Sequence, residues 1–247
     1  MDNQTILKVS EIFSSVQGEG RLAGTSCVFL RLSTCNLKCS WCDTKYTWDW
    51  DNYDINKEIK ELNIKEIVEK IHSFSNINHI VITGGEPLLQ QDKLVLLLTL
   101  LKEKRKQADN IPNSYHVEIE TNGTIVPLKE IIDLVDQWNI SPKTSNSDNE
   151  KLGIDLEGYY KKSLTFYKDL KNAFFKFVVD KLDDIKEIDH LIQKYHLPKE
   201  QIVLMPQATT KEKLLEKTLW IQEYAKTNGF TFSTRMQVLL WNNQRGK

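Results

Sequence analysis

Short apolar runs and longer amphipathic stretches alternate along this chain. The runs ILKVSEIF (6–13), CVFLRL (27–32), HIVIT (79–83), HVEIET (116–121), FFKFVVD (174–180), IVLMPQ (202–207) and FTFSTRMQVLL (230–240) are rich in β-branched and aromatic residues. That composition predicts strands, and a shorter one is expected near Trp138 to Ser141. Stretches near 56–74, 91–107, 127–136, 158–170, 182–196 and 210–228 predict helices. Ile64, Ile67, Val68 and Ile71 form one helical stripe, and Leu214, Leu215, Thr218, Leu219 and Ile221 form another. Thr209 and Thr210 stand where an N-cap belongs, and Gly229 where a helix stops.

Strands separated by helices imply an α/β fold built on a largely parallel sheet. No Pro/Gly/Ser-rich linker and no fixed-period repeat divides the 247 residues, so one domain over 1–247 is expected, with a variable, Trp- and Tyr-rich insertion near 43–55. The other irregular stretch is 141–157. Ligands of α/β folds gather at the C-terminal ends of strands. SVQGEG, CNLKCSWCDT, TGGEP, ETNGT, SPK and MPQ each follow a predicted strand, so six ends are expected to share one site.

Charge narrows the partners. With 27% charged residues and a formal net charge of -1, nothing favours nucleic acid. The basic run Lys102 to Lys106 follows an apolar helical stretch and reads as cations at a helix C-terminus. The start MDNQTILKVSEIF lacks a signal-peptide pattern. The apolar run Leu94 to Leu101 falls short of the about 20 residues a membrane span needs. A cytoplasmic protein is expected.

The four cysteines make no disulfide framework in a chain this long. Cys27, inside an apolar strand, reads as core. Cys35, Cys39 and Cys42 instead lie in the polar loop RLSTCNLKCSWCDTKYTW (31–48), spaced C-x3-C-x2-C. A structural zinc site takes four ligands, usually as two pairs, and no second pair is apparent; His72, His79, His116, His190 and His196 are scattered. An iron–sulfur cluster suits compact cysteine spacing, and three thiolates on four irons leave one iron open. A zinc-bound interaction module, which is no enzyme, stays as a rival.

The triplet, with Trp41 directly before its last cysteine, resembles the signature of radical S-adenosylmethionine (SAM) enzymes. In that family the open iron of a [4Fe-4S] cluster chelates the methionine part of SAM, and one electron releases a 5′-deoxyadenosyl radical. The protein's share is binding, orientation and exclusion of side reactions. Thr83 to Pro87, TGGEP, resembles the family's glycine-rich SAM-binding strand end, although alone it reads equally as a turn with Pro87 in the first turn of a helix.

Within the superfamily, SSVQGEG (14–20), FLRLSTCNLKCSWCDTKYTW (29–48), VITGGEPLLQ (81–90), ETNGT (120–124), SPK (141–143) and VLLWNNQRGK (238–247) resemble the 7-carboxy-7-deazaguanine synthases of queuosine and deazapurine biosynthesis. The resemblance covers essentially the whole chain. It implies a modified, incomplete (β/α) barrel of the radical SAM type. It also implies ring contraction of 6-carboxy-5,6,7,8-tetrahydropterin with loss of ammonia, with SAM regenerated and Mg²⁺ required.

Carried onto this sequence, it places Val16, Gln17, Gly18, Glu19, Arg31 and Thr83 on the substrate. Trp41, Cys42, Asp43, Gly85, Glu86, Ser141, Pro142, Lys143 and Gln207 would contact SAM, with Glu86 accepting from its ammonium group. Thr44 would give Mg²⁺ a hydroxyl ligand, and Arg245 would reach the substrate. A homodimer and a flavodoxin- or ferredoxin-type electron donor are implied as partners. On residues alone, Glu19 reads equally as a solvated turn acid, Arg31 as a strand-edge charge, and Glu120 and Asn122 of ETNGT as a turn, because Asn-Gly favours tight turns. A glycyl-radical activase acting on a protein is the enzyme rival.

Overall fold

Residues facing opposite sides of the same strands divide this molecule into an apolar layer and a polar hollow. The computed structural model describes residues 5–105, 115–242 and 244–247. Its strands are β1 (Ile6–Val16), β2 (Ser26–Leu32), β3 (Lys60–Asn63), β4 (His79–Gly84), β5 (His116–Thr121), β6 (Gln137–Ile140), β7 (Ala173–Val179), β8 (Ile202–Pro206) and β9 (Thr231–Phe232). The helices are α1 (Ile55–Glu58), α2 (Ile64–His72), α3 (Gln91–Arg105), α4 (Lys129–Ile132), α5 (Leu156–Tyr167), α6 (Leu182–Tyr195), α7 (Lys211–Asn228) and α8 (Met236–Trp241).

All nine strands join one sheet in the order β3-β1-β2-β4-β5-β6-β7-β8-β9. From β2 onward each pairs parallel with the next, whereas β1 runs antiparallel to both β2 and β3. The order runs open from β3 to β9, an incomplete (β/α) barrel.

Side chains alternate across a strand, so one face can bury while the other works. Val117 and Ile119 of β5, Trp138 and Ile140 of β6, and Phe175, Phe177 and Val179 of β7 join the main core against the helices. Their neighbours Glu120, Asn139 and Lys176 point to the other side and line a cavity. Cys27 is fully buried against Phe29, Val81 and Phe13, a small packing cluster of its own, as its apolar surroundings predict.

The sequence expectations fail in instructive places. The helix expected over 56–74 is broken into α1, β3 and α2. Asn63 explains the break: its side chain accepts from Lys65 N while Glu66 reaches back to the Asn63 N–H, a capping box that starts α2 afresh. Ile64, Ile67, Val68 and Ile71 of α2 are then at most 1% exposed, and each such burial stabilises by roughly 1.5–3 kcal/mol. In α7, Thr210 caps the start and Gly229, at φ 75°, ends it; the buried face is Leu214, Ile221 and Ala225. Leu215 and Leu219, expected in that stripe, stand 50% and 78% exposed on the neighbouring face.

The strand expected over 230–240 is only Thr231–Phe232, followed by the helix α8. A continuous apolar run such as VLLW fits a buried strand and a short helix equally until tertiary contacts decide. Here Val238 alone of α8 is buried, packed on Ala208 and Leu214. The basic run ends α3 as expected as far as Arg105; Lys106, like the first four residues of the N-terminal stretch, lies outside the described residues. No helix of the described residues is long and apolar enough to cross a membrane.

Candidate active site

A cavity of about 480 Å³ opens on the polar face of the sheet. Its rim is built by the loops after β2, β4, β5 and β6. After β2 the chain turns through Thr34, a non-glycine residue at φ 78°, into the cysteine loop. The loop after β4 lies directly on it: Gly85 N donates to Leu32 O at 3.0 Å and Glu86 N to Thr34 O at 2.8 Å. Only glycines allow this approach. Gly84 sits at φ 133°, and a Cβ on Gly85 would come 2.0 Å from the Thr34 carbonyl oxygen.

Each sulfur of the triplet accepts an N–H. Cys35 receives Leu37 N at 3.4 Å and Asn122 Nδ2 at 3.8 Å, Cys39 receives Asn149 Nδ2 at 3.1 Å, and Cys42 receives Trp48 Nε1 at 3.3 Å. Burial pushes the Cys35 thiol up to about 12, against the lowering effect of the Leu37 N–H. Burial also raises Cys39, while the Lys143 charge and the Asn149 hydrogen bond pull it back. Beside them, Lys143 Nζ stands 5.3 Å from the centre of the Trp41 ring and donates to Ser141 Oγ at 2.7 Å. The Thr44 hydroxyl lies 3.6 Å from Cys42 Sγ.

The floor is made differently. Because β1 runs antiparallel, Val16 pairs with Ser26 at the start of β2, so the following QGEG turn enters from the end opposite the cysteines. All six predicted strand ends share the one cavity, but this one closes its bottom instead of joining the rim. There Glu19 accepts from Lys176 Nζ at 2.6 Å, Arg235 Nε at 2.9 Å and Gln237 Nε2 at 2.6 Å. Burial would raise the Glu19 carboxyl, but Lys176 and Arg235 outweigh it and hold the group well below the usual carboxylate range. Burial likewise opposes the charge on Lys176, and Glu120 and Glu19 overcome it. Arg235 also donates to Asp43 and to the Ala208 carbonyl, tying floor to rim.

Behind the floor, Gln17 Nε2 donates to Glu118 at 2.7 Å, and Glu118 is further held by Asn139 and His79. Glu120 accepts from Thr83 Oγ1 at 2.7 Å. On the side wall, Arg31 Nε donates to Glu11 at 2.9 Å, and no hydrogen-bond acceptor among the described residues meets its Nη atoms. Glu11 also accepts from Tyr46 OH and Arg245 Nε. The Arg245 guanidinium lies 3.9 Å over the Tyr46 ring and pairs with Glu58 at 2.8 Å, so this expected substrate contact is engaged within the protein while lining the cavity.

Val16, Gln17, Gly18, Glu19, Arg31 and Thr83 all line the cavity. So do Cys35, Cys39, Trp41, Cys42, Asp43, Thr44, Gly85, Ser141, Lys143 and Gln207. Two expected residues do not. Glu86 is fully buried beneath the rim, its carboxylate taken by Thr121 Oγ1 at 2.9 Å, Asn122 N at 2.7 Å and Leu88 N at 3.0 Å. It braces the TGGEP and ETNGT loops against each other from outside the cavity lining. Pro142 is buried between Ser141 and Lys143, outside the lining.

The sequence left Glu120 evenly between a functional residue and a turn, and gave no reading of Asn139, Lys176, Arg235 or Gln237; all five line the cavity. Lys176 had a signal: a lone lysine inside the otherwise apolar strand AFFKFVV. Arg235 and Gln237 were hidden by the strand expected over 230–240.

Residues 31–217 match the radical SAM superfamily. The 7-carboxy-7-deazaguanine synthase of Pyrobaculum aerophilum is 35% identical over 245 residues, covering 98% of this chain and 97% of that one. Its counterpart from Rhodopirellula baltica is 32% identical, covering 99% of this chain and 90% of that one. The crystal structure of QueE from Escherichia coli superposes with a TM-score of 0.67 over 94% of each chain at 24% identity, a likeness of fold.

Proposed function

Because the chain belongs to the radical SAM superfamily and, within it, to the 7-carboxy-7-deazaguanine synthase family, we propose that it contracts the ring of 6-carboxy-5,6,7,8-tetrahydropterin to 7-carboxy-7-deazaguanine with loss of ammonia. It would do so as one domain, in the cytoplasm, as a homodimer fed by a flavodoxin- or ferredoxin-type donor. The observation that carries the reading is one cavity with a sulfur rim and an ion-paired floor.

The family implies a [4Fe-4S] cluster and SAM. The residues present fit the cluster. Among the described residues, no three His, Cys, Asp or Glu side chains converge on a single ion position, which a zinc site needs and a cluster with one iron per thiolate does not. Three sulfurs on one loop, each met by an N–H donor, suit thiolates that share a larger group. When bound, the cluster with SAM would supply the 5′-deoxyadenosyl radical that begins the reaction.

The rest falls to the chain's own side chains. Cys35, Cys39 and Cys42 would hold the cluster, and Trp41, Asp43, Gly85, Ser141, Lys143 and Gln207 would seat SAM at the rim. Glu19, kept ionised by Lys176 and Arg235, and Glu120, 3.5 Å from the Lys176 Nζ, suit the N–H edge of an aminopyrimidinone ring. Gln17 and Thr83 flank that position. Arg31, steadied through Nε by Glu11, keeps both Nη atoms for a substrate carboxylate. Thr44 would give a hydroxyl to Mg²⁺, a cation that takes few protein ligands and keeps waters. A small, charged floor suits a heterocycle and not the backbone of a protein substrate, against a glycyl-radical activase.

The test is anaerobic incubation with SAM, reductant, Mg²⁺ and the carboxytetrahydropterin. Ammonia and a deazaguanine product are expected; SAM cleavage with the pterin intact would overturn the substrate. Thr44→Val should raise the Mg²⁺ concentration needed for half-maximal rate about tenfold, the loss of one ligand of about 1.4 kcal/mol. An unchanged Mg²⁺ response would remove Thr44 from the metal.

A further inference from the structure

The two irregular segments, 43–55 and 141–157, each send one N–H donor to a sulfur. Trp48 donates its indole N–H to Cys42 Sγ at 3.3 Å, and Asn149 donates from Nδ2 to Cys39 Sγ at 3.1 Å. The indole is a donor only, so its direction is unambiguous. Asn149 is equally fixed: its Oδ1 accepts the Lys38 N–H at 2.8 Å, which turns the NH₂ group to the sulfur and to Ser147 Oγ at 2.9 Å. Asn149 is fully buried, so water does not compete for the contact.

We propose that Trp48 and Asn149 are positioning residues that hold the ligating sulfurs of Cys42 and Cys39 by N–H···S hydrogen bonds and so raise the reduction potential of the cluster. Reduction adds one electron, and the added negative charge spreads onto the sulfurs. A donor aimed at sulfur stabilises the more negative state more, so the reduced form gains. The effect makes the cluster easier to reduce by the one-electron donor that must serve it. This rests on the assignment of the three thiols to a four-iron cluster.

The experiment is a potentiometric titration of the reconstituted protein, followed by the electron paramagnetic resonance of the reduced cluster. Trp48→Phe keeps the aromatic bulk and deletes the N–H; Asn149→Leu deletes the other donor. At a fixed ambient potential each should lower the ratio of reduced to oxidised cluster several-fold, where tenfold equals about 59 mV for one electron. Trp50→Phe is the control, because Trp50 belongs to the same 43–55 segment yet lies outside the cavity lining and donates to no sulfur among the described residues. Its titration should overlay that of the unsubstituted protein. A Trp48→Phe midpoint equal to that of the unsubstituted protein, at equal iron and sulfide content, would overturn the proposal, as would an equal shift in Trp50→Phe.

A second measurement needs no variant to load iron. With ¹⁵N in the tryptophan indoles, the reduced unsubstituted protein should show a ¹⁵N hyperfine coupling and an exchangeable proton at the cluster, and their absence would equally overturn it. Failure of the unsubstituted protein to bind iron and sulfide is a separate outcome, and it removes the cluster itself.

Discussion

Glu19, half-buried in the cavity floor, and Glu86, fully buried beneath its rim, are both carboxylates shielded from water, and their proton affinities move in opposite directions. Glu19, at the floor, faces two cations and is held well below the ordinary range. Glu86, under the rim, has only neutral donors: Thr121 Oγ1, Asn122 N and Leu88 N. Burial pushes it up to about 6, and those hydrogen bonds limit the rise without reversing it. Burial is common to both, so the partner's charge decides the outcome. The same division separates the ends of the cavity. The floor fixes full charges in advance, whereas the rim offers neutral N–H groups to sulfurs whose charge changes with what they hold.

The sharpest way to break the comparison is at the sulfurs. Cys35→Ala, Cys39→Ala or Cys42→Ala should each abolish cluster binding and turnover, read as iron and acid-labile sulfide. Cys27→Ala, buried apart with Phe29 and Val81, should keep full cluster content. Iron loss in the Cys27 variant would show that the rim extends further than described.

Next comes the floor. Lys176→Met leaves Glu19 and Glu120 short of a buried cation, and breaking such a pair costs about 3–5 kcal/mol. Urea unfolding at neutral pH should show that loss, along with a raised KM for the pterin. An equally stable variant would mean that Arg235 and Gln237 suffice for Glu19. The smallest effect is at Glu86. Its folded-state value, about 6, lies above the ordinary 4.5, so its contribution to stability is complete below pH 4.5 and lost as pH rises through 6. Relative to Glu86→Gln, the unsubstituted protein should lose about 2 kcal/mol across that rise. Parallel stability curves for the two proteins would refute the shift.

The parallel strands and the sulfur rim were legible because their signals are local. Apolar runs such as IVLMP and the C-x3-C-x2-C spacing lie within a few residues of sequence. The floor was not, because it joins Glu19, Glu120, Lys176 and Arg235 from four distant places. Gln17 and Glu19 were named from resemblance, yet their end of the sheet was misjudged, since strand direction comes from pairing and not from composition. Glu86 shows the converse: a residue in a recognisable motif that the fold buries beneath the rim, where it ties two loops together. The helix expected over 56–74 is broken by one asparagine, whose capping signal is a single polar residue set in a longer amphipathic stretch.

The union of Glu19 with Arg235 spans 216 residues. Chains are made from the N-terminus, and contacts of such separation form late. A growing chain that has reached β8 already possesses its three cysteines, Glu19 and Lys176, but no guanidinium to join floor and rim. Floor and rim are thus joined only once the last strand and helix are in place, so the pocket is the last part of the molecule to be completed.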